Sequence, residues 1–244
     1  MTRKEFLQNS ILASIGISFL HSCNFSETIL KKGMKIGCIG DSITFGGGHG
    51  YVENLQKLFD TTHPELELRF INLGLNSETI TGLTEERHPG PRPYLFNRLD
   101  KILQATKADL YTFCYGINCG IYQALTEEKL TKYKAGIVKY LDAVKIHGAK
   151  AIILTPPPLA FVPKQNKTPD SYNWQVPYPN YNKEVILAFK KIVAQIEHDT
   201  LLKKVDIYRP LWEAKKTAYG ADPIHPNATG YQIIADIVKE ALIV

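Results

Sequence analysis

Short apolar runs alternate with longer amphipathic stretches from Met34 to the end of the chain. Each apolar run is rich in Ile, Val, Leu or aromatic residues, which is typical of strands buried on both faces of a parallel sheet. The pattern predicts strands at 34–39, 68–73, 109–115, 149–154 and 204–207.

The stretches between these runs have the periodicity of helices. In one of them Leu130, Tyr133, Ile137, Leu141 and Val144 recur at three- and four-residue spacing, as the buried face of a helix requires. Helices are predicted at 51–59, 95–105, 127–147, 182–198 and 229–242. Five strands joined by helical crossovers predict an α/β domain, a three-layer α/β/α sandwich with a five-stranded parallel sheet, over residues 34–244.

The first 23 residues differ from the rest of the chain. They begin with Arg3 and Lys4, continue into an apolar run at 11–20, and reach Cys23, which predicts an export signal. The apolar run is about half of the roughly 20 residues that a membrane-spanning helix needs. Residues 20–23, LHSC, resemble the lipobox of bacterial lipoproteins, and residues 2–7 resemble a twin-arginine signal.

Two readings of this segment stay open, a plain cleaved signal and a signal whose Cys23 is lipidated. Both predict an exported bacterial protein, either periplasmic or anchored to a membrane, with residues 24–33 as a tether.

Composition and charge exclude several classes of protein. The 244 residues are 44% hydrophobic and 22% charged, the ordinary range of globular proteins. The net charge of +5 is spread along the chain without a basic run, so no nucleic-acid partner is expected. The four cysteines, at positions 23, 38, 114 and 119, have neither zinc-site nor disulfide-framework spacing, and no metal is expected.

A candidate nucleophile follows the first predicted strand, where the sequence reads GDSITFGGG from Gly40 to Gly48. Ser42 would stand at a strand-to-helix turn, where backbone N–H groups favour developing negative charge. The alternative, a phosphate-binding loop, lacks the lysine of GxxxxGK[ST] and the spacing of GxGxxG.

A candidate base and its orienting acid lie near the C-terminus. Asp222 precedes His225 by three residues on a turn that contains Pro223 and Pro226. At that spacing the carboxylate can accept from the imidazole Nδ1–H, which leaves Nε2 to take a proton from a serine hydroxyl. In isolation, either motif is more often a helix cap than a catalytic group.

The combination resembles the GDSL/SGNH hydrolase superfamily. GDSIT at 40–44 and DPIHPNATGY at 222–231 are similar to its first and last sequence blocks, and NLGLNSET at 72–79 and YGIN at 115–118 to the blocks between. The resemblance covers residues 34–244 and implies a flavodoxin-like SGNH fold. It further implies Ser42 as nucleophile, His225 as general base and then acid, and Asp222 as the orienting acid.

The resemblance also implies an oxyanion hole made of the Ser42 N–H, a second-block N–H and the Asn118 amide. The family usually has glycine before the D/E-T pair of the second block, whereas this chain has Ser77. We expect Ser77 to supply that N–H, with Gly74 as the alternative.

The third block departs from the family pattern, because Cys119 stands where aspartate commonly follows the asparagine. Cys119 could itself be a nucleophile, but no second base is evident. Cys38 and Cys114 are expected to be small buried hydrophobes on adjacent strands.

Two proline-rich loops, 85–93 and 156–179, follow strand ends and are candidate walls of a substrate site. The first contains Arg87, His88 and Arg92, which could contact a polar or anionic substrate. The second contains three aromatic residues, Tyr172, Trp174 and Tyr178. The alternative for both loops is an ordinary connection, and solvated surface charges are the default for the three basic residues.

The implied protein is an exported serine esterase that forms an acyl-enzyme and uses neither metal nor organic cofactor. Its expected partner is a small-molecule or glycan ester, and a carbohydrate O-acetyl ester is favoured because aromatic side chains pack on sugar faces. The alternatives are a lysophospholipase- or thioesterase-type lipid hydrolase and a non-catalytic glycan-binding module on the same fold. The sequence does not predict the oligomeric state.

Overall fold

A five-stranded parallel sheet forms the centre of the domain in the computed structural model, which describes residues 29–162 and 171–243. The strands are β1 (Lys35–Gly40), β2 (Arg69–Gly74), β3 (Leu110–Cys114), β4 (Lys150–Leu154) and β5 (Leu201–Val205), in the order β2-β1-β3-β4-β5. All neighbouring pairs are parallel. The predicted three-layer fold with a flavodoxin-like strand order is therefore confirmed.

Helices cover both faces of the sheet. They are α1 (Ser42–Phe45), α2 (Tyr51–Thr62), α3 (Leu99–Thr106), α4 (Glu127–Ile146), α5 (Leu187–Gln195), α6 (Tyr208–Glu213), α7 (Lys215–Ala218) and α8 (Ala228–Ile243). Helix α2 packs beside α8, and α4 packs beside α3 and α5.

The core lies between the sheet and these helices. The predicted apolar face of α4 is buried, and its Tyr133 stacks on Phe189 of α5 with ring centroids 4.0 Å apart. Cys38 and Cys114 are fully buried on the adjacent strands β1 and β3, as expected.

The last predicted strand is displaced, since β5 spans Leu201–Val205 and not 204–207. As an edge strand it alternates partly buried residues with the exposed Leu202 and Lys204, so it lacks the apolar run by which the other strands were found. The predicted helix 182–198 is a π-helical turn (Tyr181–Ile186) followed by α5, which ends at Gln195.

The predicted export signal and Cys23 lie outside the described residues. Residues 29–33, the end of the predicted tether, pack on the domain: Leu30 is buried, and the Gly33 N–H donates to the Leu66 carbonyl at 2.8 Å. Within residues 29–162 and 171–243, no helix has the length and apolarity to cross a bilayer.

Candidate active site

The candidate site lies at the carboxyl edge of the sheet. Gly40, Gly74 and Cys114 are in register at the ends of β1, β2 and β3, so the loops that follow these strands converge there. Ser42 is the first residue of α1, and the Asp41 side chain caps that helix by accepting from the Ile43 N–H at 3.0 Å.

Close packing fixes α1 against the sheet. A Cβ at Gly74 would lie 2.2 Å from the Phe45 nitrogen, so only glycine allows β2 to approach α1 this closely. The Asn72 amide, which donates to the Phe45 carbonyl at 3.1 Å and to Glu53 at 2.8 Å, holds the end of α1. The turn that carries Ser42 is therefore held at both ends.

Ser42, His225 and Asp222 form a continuous hydrogen-bonded relay. His225 Nε2 lies 2.8 Å from Ser42 Oγ, and His225 Nδ1 lies 2.7 Å from Asp222 Oδ2. Because a carboxylate only accepts, Nδ1 carries the proton and Nε2 is left to accept the serine hydroxyl. The structure thus joins residues that are 183 positions apart in the sequence.

The loop that carries Asp222 and His225 is held by its backbone. Asp222 Oδ1 accepts from the backbone N–H groups of Ile224, at 2.8 Å, and His225, at 3.2 Å. Burial alone would raise the pKa of Asp222, but the His225 side chain and these N–H donors hold that pKa below its usual value. Asp222 therefore remains a carboxylate and stabilises a charged imidazole.

Asn118 and Ser77 face the same cavity as Ser42. The Asn118 Oδ1 accepts from the Tyr122 hydroxyl at 2.9 Å, which orients the amide so that its NH₂ points away from Tyr122. That NH₂ makes only long contacts of 3.5 Å, to Asp41 and to the Glu78 carbonyl, and has capacity for another acceptor.

The two candidates for the second-block donor differ in their hydrogen bonds. The Gly74 N–H already donates to Asn72 Oδ1 at 3.1 Å, and Gly74 packs against α1. Ser77 has a left-handed backbone with φ of 62°, and its N–H has no acceptor among the described residues. Ser77 also lines the cavity, whereas Gly74 does not.

The cavity holds about 320 Å³ and is bounded by residues from several loops. Its lining residues are Ser42, Asn76, Ser77, Arg92, Asn118, Tyr122, Trp174, Ile224 and His225. Each of the two proline-rich loops contributes one residue, Arg92 and Trp174. Arg87, His88, Tyr172 and Tyr178 do not line it.

Two titratable groups next to site residues are buried: the carboxyl group of Asp41, beside Ser42, and the thiol of Cys119, beside Asn118. Burial raises the pKa of Asp41 to about 7. Cys119 is fully buried and its pKa is raised for the same reason, so the thiolate that nucleophilic attack would need is disfavoured. Across residues 29–162 and 171–243, no three His, Cys, Asp or Glu side chains cluster as metal ligands would.

Sequence reasoning missed Tyr122 and the buried partner of Arg92. Tyr122 has positive φ and follows the third block by four residues, where no pattern marks it. Arg92 is held by Glu85 at the other end of the same loop. The spacing of the two opposite charges was visible, but their burial was not.

Comparison with known proteins gives the family. Residues 38–233 match the GDSL-like Lipase/Acylhydrolase family, and the chain belongs to it. It is therefore a carboxylic ester hydrolase with the SGNH fold.

An acetylxylan esterase from Geobacillus stearothermophilus is 25% identical over an alignment of 227 positions that covers 84% of this chain and 92% of that protein. A solved variant of Axe2, an acetyl xylan esterase from the same organism, superposes with a TM-score of 0.66 at 24% identity, covering 88% of this chain and 96% of that one. An alpha/beta hydrolase enzyme from the metagenome of Lake Arreo, Spain, has a TM-score of 0.61 at 20% identity, with 88% and 97% covered.

Proposed function

We propose that this esterase is a serine hydrolase that removes acetyl groups from carbohydrate esters through an acyl-enzyme. The observation that carries the mechanism is the relay of two short hydrogen bonds, 2.8 Å from Ser42 Oγ to His225 Nε2 and 2.7 Å from His225 Nδ1 to Asp222. A binding module has no physical need for such a relay.

In the proposed reaction Ser42 Oγ attacks the ester carbonyl carbon while His225 Nε2 takes the hydroxyl proton. The oxyanion of the tetrahedral intermediate accepts from the Ser42 N–H, the Ser77 N–H and the Asn118 amide. Collapse expels the alcohol, which receives the proton from Nε2. A water molecule, activated by the same nitrogen, then attacks the acyl-serine and releases the acid.

The substrate class is supported by the shape and lining of the cavity. A volume of about 320 Å³ is at the small end for ligand sites, which suits a short acyl group. Trp174 is 44% exposed at the cavity, and such a ring offers a platform for the apolar face of a sugar. The similar acetylxylan esterase supports the same assignment.

Hydrogen bonds hold the backbone turn that carries Trp174. The Asn173 side chain accepts from the N–H groups of Gln175 and Val176 at 2.9 and 3.1 Å, which closes a tight turn with Trp174 at its tip. Two residues beyond Val176, the Tyr178 N–H donates to the Tyr122 carbonyl at 2.8 Å. Little ordering of this backbone is therefore needed on binding.

The mechanism is tested with Ser42→Ala and the 4-nitrophenyl esters of acetate, butyrate and octanoate. We expect Ser42-dependent release that is greatest for acetate. Activity that rises with chain length would favour the lipid hydrolase. Full activity in Ser42→Ala would reject the serine mechanism, and the absence of release from these esters and from acetylated xylo-oligosaccharides would favour the binding module.

The carbohydrate assignment is tested with Trp174→Ala. We expect KM for acetylated xylo-oligosaccharides to rise about tenfold while 4-nitrophenyl acetate hydrolysis changes little, because the small ester does not need the platform. Phe161→Ala is the matched control, since Phe161 has a similar exposure of 43% and does not line the cavity. Equal losses on both substrates would contradict a sugar platform.

We also propose that the protein is exported and attached to a membrane through lipid on Cys23. The lipobox-like sequence at 20–23 and the charged and apolar segments before it support this proposal. Cys23→Ser should move the protein from the membrane fraction to the soluble fraction and abolish labelling with a fatty-acid analogue. Unchanged fractionation would contradict it.

A further inference from the structure

Arg92 forms a buried ion pair in the wall of the candidate active site. Its Nε and Nη2 atoms donate to the two carboxylate oxygens of Glu85 at 2.6 and 2.5 Å, and the side chains are 2% and 0% exposed. The charge of the guanidinium is therefore neutralised within the protein, so Arg92 is poorly suited to bind an anionic substrate.

The same guanidinium contacts Ser77, which supplies one donor of the proposed oxyanion hole, and Tyr122, which orients another. Its Nη1 donates to the Ser77 carbonyl at 3.2 Å. Its Cζ lies 5.5 Å from the centre of the Tyr122 ring, and the Tyr122 hydroxyl orients the Asn118 amide. Arg92 thus links Ser77 to Asn118 through Tyr122.

Ser77 needs such a contact because of its backbone conformation. Its φ of 62° lies in the left-handed region, which a residue with a Cβ adopts at a cost that glycine does not incur. The conformation directs the Ser77 N–H, and a hydrogen bond to the Ser77 carbonyl restrains the next peptide plane.

Backbone groups of the loop that carries Arg92 form hydrogen bonds to Thr84 and to the second block. The Arg92 N–H donates to Thr84 Oγ1 at 2.9 Å, and the Thr79 N–H donates to the Pro93 carbonyl at 2.9 Å. The segment that contains Ser77 and Thr79 therefore positions the Arg92 loop, and Arg92 in turn restrains Ser77.

We infer that Arg92 is a positioning residue for the oxyanion hole, holding Ser77 in the left-handed conformation that presents its N–H to the reacting oxygen. The inference rests on the proposed function, since it concerns the rate of the Ser42-dependent reaction. Arg92 does not touch the reacting atoms, so its effect falls on kcat, with substrate binding largely unchanged.

The test uses Arg92→Met in the full chain. Methionine keeps an unbranched side chain that fills most of the space of the arginine stem, which matters because Arg92 also lines a second cavity of about 530 Å³ that a small residue could open to the first. Active sites are counted by titration with diethyl 4-nitrophenyl phosphate. We expect kcat per titrated site on 4-nitrophenyl acetate to fall at least tenfold, with KM changed less than threefold.

Ser77→Gly separates positioning from general stabilisation. Because glycine adopts positive φ without strain, we expect Arg92→Met to lower kcat less than threefold when it is introduced into the Ser77→Gly protein. A merely structural role for Arg92 would lower kcat equally in both backgrounds, which would overturn the inference.

Arg92→Lys is the second variant, used in case Arg92→Met does not fold. It keeps a positive charge for Glu85 but loses the planar guanidinium that reaches Ser77. We expect this variant also to lose kcat per site while its Tm stays within about 5 °C. Arg69→Met, an exposed arginine at the amino end of β2, is the control. An unchanged kcat in Arg92→Met, with activity still dependent on Ser42, would overturn the inference alone; activity independent of Ser42 would overturn the proposed function instead.

Discussion

Asn118 supplies the one side-chain donor of the proposed oxyanion hole, and its amide is already oriented by Tyr122. We expect Asn118→Ala to lower kcat on 4-nitrophenyl acetate by about 100- to 1,000-fold, the usual effect of removing one preorganised donor. KM should change little, because the donor acts on charge that develops only in the transition state. Turnover within threefold of wild type would show that the oxyanion is stabilised by other groups.

Asp41 combines full burial beside Ser42 with a pKa raised to about 7 from 3.8. Below pH 4 both the folded and the unfolded chain hold this proton, and between pH 4 and 7 only the unfolded chain releases it. The free energy of unfolding therefore falls as the pH rises towards 7, and the contribution of this group is constant above it.

Asp41→Asn removes the titration and retains a helix-capping oxygen. Relative to wild type, we expect the variant to gain on the order of 2 kcal/mol between pH 5.5 and pH 8, measured by urea unfolding. Asp60→Asn, at an exposed position on α2, is the control variant and is measured in parallel. A difference between Asp41→Asn and wild type that stays constant with pH would contradict the assignment.

The residues of the candidate site were predictable from the sequence to different degrees. Ser42, Asp222 and His225 stand in short motifs whose residue types and spacing carry the chemistry. Arg92 was visible as one charge in a proline-rich loop, but whether it meets solvent or Glu85 depends on tertiary packing, which no local pattern encodes.

At the scale of elements, the approach of β2 to α1 sets the position of the candidate nucleophile. A Cβ at Gly74 would lie 2.2 Å from the Phe45 nitrogen and 2.6 Å from its Cα, so Gly74→Ala must push α1 away. We expect a loss of about 3 kcal/mol, or roughly 6 to 12 °C in Tm, together with lower activity because Ser42 is on α1.

Gly220→Ala is the matched control for this substitution, since a Cβ at Gly220 has no atom within 4 Å. Its Tm, read from thermal unfolding by circular dichroism, should stay within about 2 °C of wild type. Equal Tm values for Gly74→Ala and wild type would show that α1 can shift at little cost.

The hydrophobic pattern was sufficient to predict the long helices and the buried strands, but not the short helices. The buried strands β1, β3 and β4 and the 20-residue helix α4 repeat their patterns often enough to be recognised. Helices such as α1 and α7 have four residues each, about one turn, so they show no period. The predicted position of the edge strand β5 was wrong because its partly exposed sequence resembles a loop.

At the scale of the whole molecule, the chain enters the domain at the edge of the sheet opposite the candidate site. Leu30 is buried, the Gly33 N–H binds the Leu66 carbonyl, and β1 then runs from Lys35 to Gly40, immediately before Ser42. Six residues of strand place about 20 Å of sheet between the two ends. If Cys23 carries a lipid, as proposed, we expect the amino edge to lie towards the bilayer and the candidate site to face away from it.

This orientation separates glycan from lipid substrates in one experiment. In phospholipid vesicles, the lipid-modified protein should hydrolyse soluble 4-nitrophenyl acetate within twofold of the rate of Cys23→Ser in solution, because the site faces the water. It should release no fatty acid from the bilayer that holds it, since the site cannot reach the headgroup layer. Mixed micelles of the same phospholipid and detergent are the control, because they bring lipid to the site from any direction. Fatty-acid release from the host bilayer at a rate matching that in the micelles would contradict the orientation and favour a lipid substrate.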